Sequence, residues 1–129
     1  MANEENGQVR IADDVVAVIA GIAATETEGV VAMSGGITEG FARRVSGKNV
    51  TRGVNVEVGE LEAAIDIRII VKYGTKIHEA ARDVQYNVKQ AVESMTGLTV
   101  IEVNVKVEGV VLAEEDNKKE SEATELRVK

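Results

Sequence analysis

The stretch from Leu61 to Val111 constrains this chain more than any other. Ile65, Ile67, Ile69, Val71 and Tyr73 alternate with Ala64, Asp66, Arg68, Ile70 and Lys72, a period of two with one imperfect step at Ile70. Beyond Gly74, the residues Ile77, Ala80, Ala81, Val84, Val88, Ala91, Val92 and Met95 recur at helical spacing. Gly97 stops that helix, because glycine reaches positive φ cheaply. Ile101, Val103, Val105 and Val107 then alternate with Glu102, Asn104, Lys106 and Glu108. Each of the three segments has one apolar face. A sheet with the helix laid across it hides all three.

The same reading extends to the rest of the chain. Met1 to Gly7 is polar and reads as a flexible N-terminus. Gln8 to Ile11 fits a short edge strand. Asp13 fits an N-cap, with Asp14 favourable in the first turn, for a helix running to about Thr27. Val15, Val18, Ile19 and Ile22 form its main apolar stripe. Its opposite side carries the small residues Ala17, Ala20, Gly21 and Ala24. A helix apolar all round is covered on both sides, either by the second helix of the same domain or by a second copy of the chain. Gly29 ends the helix, and Val30 to Met33 fits a short strand. Val50 to Val58 alternates again, and Gly59-Glu60 turns the chain back in an antiparallel hairpin. From Ala113 to Lys129 there is little to bury, which reads as a charged disordered tail. The expected fold is one α+β domain over residues 8–112. It has a small, mostly antiparallel sheet, two helices packed on one face and the order β-α-β-β-β-α-β.

The residue chemistry argues against an enzyme. The chain has no cysteine and one histidine, His78, in the first turn of the second helix after a Thr75 suited to capping. There is no nucleophile-elbow motif for His78 to serve, and no thiolate or imidazole cluster for a metal. Gly47-Lys48 is followed by Asn49, and Ala42 stands where a Walker loop needs glycine. No cofactor is expected. The longest apolar run, Val15 to Ala24, is about half the 20 residues a spanning helix needs. With no secretory pattern at Met1 to Val9, the chain reads as cytoplasmic and at most peripheral to a membrane.

Charge singles out one segment. The whole chain carries −7, yet Gly40 to Val56 holds Arg43, Arg44, Lys48 and Arg52 and no acid. A basic stretch on an acidic protein can meet an anionic partner: a lipid surface, an acidic protein or RNA. It also fits a solvated charged loop. RNA is the weakest of the three partners, since Phe41 is the one aromatic near the cations. Tyr86 falls on a helix face with Arg82, Lys89 and Glu93, where an aromatic is either an amphipathic surface residue or an interface anchor.

Several short stretches, taken in order, resemble a known family. They are Ile19-Ala20-Gly21-Ile22-Ala23, Glu28-Gly29-Val30, Tyr73-Gly74, Val84-Gln85, Met95-Thr96-Gly97-Leu98 and Val103-Asn104-Val105. Together they resemble the bacterial alkaline shock proteins, also called envelope stress response proteins, over about residues 8 to 112. The resemblance implies a small cytoplasmic protein of mainly Gram-positive bacteria, tied to cell-envelope homeostasis, with no enzymatic activity or cofactor. It implies self-association, or a membrane-anchored partner, or a link to fatty-acid metabolism, and it carries no site residues across. The expected function is a non-enzymatic scaffold or adaptor that forms a homo-oligomer and binds a membrane-proximal partner. A regulatory binding subunit of fatty-acid or envelope metabolism is the alternative, and a nucleic-acid module is third. The expected contacts are Arg43, Arg44, Lys48 and Arg52 for an anionic partner, and Ala17, Gly21 and Tyr86 for protein.

Overall fold

The computed structural model describes residues 6–34 and 52–112. The elements are α1 (Asp13–Thr25), β1 (Val30–Met33), β2 (Val54–Val58), β3 (Glu62–Lys72), α2 (Ile77–Thr96) and β4 (Thr99–Val111). The α+β class holds, with both helices on one face of a four-stranded sheet.

Strand β3 is the centre. Its period of two places Ala63, Ile65, Ile67, Ile69 and Val71 on the helix side, each at most 1% exposed. Val84, Val88 and Val92 of α2 and Val16, Ala20 and Ala24 of α1 close over them in one apolar cluster. Helix α1 lies over β1 and β2, α2 lies over β4, and the two helices meet each other. The imperfect step at Ile70 falls on the opposite face, where the side chain packs against Gly109 of β4. Tyr73 leaves the pattern because the strand ends at Lys72, and it is exposed.

Two of the three strand pairings are antiparallel. One edge of β3 is shared end to end, β2 pairing with Ala63 to Ile67 and β1 with Ile69 to Val71. The third pairing, β3 with β4, is parallel and runs from Glu62 against Thr99 to Lys72 against Val111. A helix crossover between neighbouring strands dictates that direction. The β3–β4 register slips at Ile101 and again at Glu108, so each is an extra residue on β4.

Three local expectations are corrected. Gln8 to Ile11 form no strand, and the order of elements is α-β-β-β-α-β. Asp13 is the first helical residue of α1, Ala12 holds the N-cap position, and no side chain caps it. Lys76, not Thr75, precedes α2, again with no side-chain cap. Thr75 lies against Gly29, so close that a Cβ there would meet its methyl group at 2.7 Å. Gly97 does close α2 in the left-handed conformation, its N–H donating to Glu93 O at 2.9 Å. The tail at 113–129 lies outside the described residues.

Candidate interaction surfaces

The sheet face away from the helices carries the alternate residues of every strand. Near its middle, Arg68 joins the two short strands. Its carbonyl accepts the Ser34 N–H at 2.9 Å, and its own N–H donates to Gly53 O at 2.8 Å. Ser34 follows β1 and Gly53 precedes β2. Ser34 and Gly53 therefore meet β3 at one residue. Arg43, Arg44 and Lys48 lie outside the described residues. Arg52 is described and exposed, one residue before Gly53.

Beside that point the Ser34 hydroxyl donates to Glu108 Oε1 across the sheet, and Lys106 Nζ stands 3.7 Å from Glu108 Oε2. The Ser34 hydrogen bond, with Arg68 and Lys106 nearby, holds the Glu108 carboxyl below its ordinary 4.5, against a smaller opposing effect of desolvation. Further along, Asn104 Nδ2 donates to Asp66 Oδ1 at 2.8 Å and to Glu102 Oε2 at 3.1 Å. Asn55, Glu57, Ala64, Asp66 and Glu102 line a shallow acidic depression. At the far end, Glu28, Lys72, Tyr73, Lys76, Glu79 and Asp83 line an open groove of mixed charge.

Neither surface assembles a nucleophile with a base. His78 is exposed on α2 with Nε2 4.0 Å from Glu79 Oε2. Among the described residues, no group of three or more His, Asp or Glu side chains could hold a metal ion. No described helix is long and apolar enough to cross a membrane.

The residues expected to meet protein part company. Ala17 is 7% exposed and Gly21 is buried, covered within one chain where α1 packs on α2 and the sheet. Tyr86 is 65% exposed on the outer flank of α2.

Helix α2 also holds two residues whose role the sequence did not signal. Gln85 Nε2 donates to Val103 O at 2.9 Å, and Glu93 Oε2 accepts the Val100 N–H at 2.8 Å. Both reach β4 on the edge away from β3. That spacing looks like any solvated helix face until the strand beneath it is placed.

The family model of the alkaline shock protein/Gls24 family, described by a cell envelope-related function, matches residues 1–112. Two uncharacterised proteins of Bacillus subtilis are similar. YqhY is 38% identical over 81% of this chain and 77% of its own length, and YloU is 42% identical over 81% and 88%. A stress response regulator Gls24 homologue of Streptococcus pyogenes is 35% identical over 78% of this chain and 57% of its own length.

Proposed function

The chain belongs to the alkaline shock protein/Gls24 family, and on that premise we propose that it is a non-enzymatic scaffold of the cell envelope stress response. It self-associates and binds a membrane-proximal partner from the cytoplasmic side. The observation that carries this reading is the family's cell envelope-related function. The described surface supports it by offering polar sheet, exposed Tyr86 and a strand edge. The basic segment supplies the anionic contact. Its four cations, Arg43, Arg44, Lys48 and Arg52, stand close together in sequence with no acid among them, on a chain that carries −7 overall.

The test is cell fractionation of the full chain. The protein is expected in the membrane fraction at low salt. It should be released as ionic strength rises from about 0.1 M to 1 M, where the screening length falls from about 10 Å to 3 Å. Arg43→Glu with Arg44→Glu should leave it in the soluble fraction. A wild-type protein soluble at every salt concentration, or a variant that stays with the membrane, overturns the reading.

A second reading is favoured by one observation. The Streptococcus pyogenes relative is named as a stress response regulator. On that reading the chain is a regulatory binding subunit. A biosynthetic enzyme as its main cross-linked partner would favour regulation, and a small membrane protein would favour the scaffold.

A further inference from the structure

Strand β4 is 13 residues long and pairs with β3 on one side only. The opposite edge of the sheet is divided between the four residues of β1 and the five of β2. Among the described residues, β4 is therefore the one long uninterrupted edge. A strand left this way presents a row of backbone donors and acceptors to another chain.

The direction of those groups is fixed by two contacts. Val103 O meets Gln85 and Val100 N–H meets Glu93, both away from β3. Backbone polarity alternates along a strand, so Val103, Val105 and Val107 point outward and Glu102, Asn104 and Lys106 point to β3. The bulges at Ile101 and Glu108 bound this regular stretch. Its side chains are sorted as well: the valines lie on the helix side, and Glu102, Asn104 and Lys106 lie on the open face.

We propose that β4 pairs antiparallel with β4 of a second copy, about a two-fold axis at Asn104. This rests on the self-association reading above and names its surface. Charge selects the register. With Asn104 opposite its own copy, Glu102 faces Lys106 and Lys106 faces Glu102, so the pair forms twice. Val103 then stands opposite Val105 in hydrogen-bonded pairs. Shifting by one full step toward the C-terminus sets Glu102 against Glu108 twice, and a further step sets Lys106 against itself. Like charges directly opposite destabilise a strand pair. A symmetric contact of this kind closes as a dimer and does not propagate through the same edge. Ile101 is 57% exposed beside the seam and gains cover from a second copy. The Gln85 amide on Val103 O is the guard that keeps the pairing reversible.

The test combines covalent trapping with charge exchange in the full chain. The chain has no cysteine, so Asn104→Cys introduces one thiol. Residues opposite each other in a non-hydrogen-bonded pair have Cα atoms about 4.5 Å apart, within disulfide range. Mild oxidation should convert Asn104→Cys to a covalent dimer and leave Asn55→Cys, on the opposite edge, monomeric. By sedimentation, Lys106→Glu and Glu102→Lys should each weaken the dimer about tenfold, and the two together should restore it. If the wild-type chain stays at 13.8 kDa at every concentration, self-association and this surface both fall. If the wild type associates while Asn104→Cys stays uncrosslinked, or the double variant gives no rescue, self-association stands and β4 is not its surface.

Discussion

Ser34 and Gly53 touch at the point where two short strands meet the long one. Gly53 has φ +79°, and a Cβ built on it would lie 2.9 Å from Ser34 O and 3.1 Å from Arg68 O. Close approach of the two backbones is what allows β1 and β2 to share one edge of β3. Gly53→Ala should therefore destabilise the protein by about 2–4 kcal/mol, the sum of a left-handed backbone and a steric clash. Gly74 has φ +96° and open space around it. Gly74→Ala should cost only about 1–2 kcal/mol. Chemical denaturation of both variants checks this, and equal losses would remove the close-approach account.

The neighbouring Ser34–Glu108 hydrogen bond links β1 to β4 across the sheet. Because the folded carboxyl of Glu108 is held below 4.5, its contribution to stability is present above the unfolded value and is lost as pH falls through the folded one. Ser34→Ala should move the Glu108 titration upward, read by NMR. Its denaturation midpoint should lie below that of the wild type at pH 7, and the gap should narrow in acid. A gap that widens as pH falls has the wrong sign.

Thr27 is 4% exposed, and it ties the end of α1 to the middle of α2. Its hydroxyl donates to Ala23 O at 2.9 Å and accepts from Asn87 Nδ2 at 3.0 Å. Thr27→Val should cost about 1–3 kcal/mol by leaving the Asn87 donor without its partner. Asn87→Ala should cost less, since Thr27 keeps Ala23. A double-mutant cycle should show coupling, and strict additivity would mean the pair does not act as a unit.

Two residues two positions apart on α2 should separate stability from binding. Val88 is fully buried, and Val88→Ala should cost about 2–4 kcal/mol. Tyr86→Ala should change stability by no more than about 0.5 kcal/mol. As an exposed aromatic anchor, Tyr86 should weaken self-association in sedimentation when it is lost, without moving the thermal midpoint. Loss of both together would make Tyr86 a structural residue.

Much of this molecule is local pattern. The alternation from Ile65 to Val71, the helical spacing from Ala80 to Val92 and the stop at Gly97 are properties of short stretches, and each forms where its residues say. The oddity at Ile70 was also visible, and Gly109 across the sheet is its explanation. The caps were not legible, because Thr75 is drawn onto Gly29 by a contact between distant turns, and Asp13 begins a helix whose entry is set at Ala12. The candidate surfaces divided in the same way. Tyr86 could be placed outside from helical phase alone. Ala17 and Gly21 could not be placed, since a small-residue face suits a neighbouring helix and a second copy equally well.

By itself, then, the sequence determined the apolar faces of β3, α2 and β4, the α+β class and the single basic segment, all of which follow from residue order at short range. Only the tertiary structure decided that β1 and β2 line up end to end at Arg68, and that Gln85 and Glu93 guard an otherwise open strand. Those relationships depend on which backbone groups remain unpaired after the sheet has formed. Backbone hydrogen bonding is common to every residue, so its leftover donors and acceptors carry no mark in the side-chain pattern.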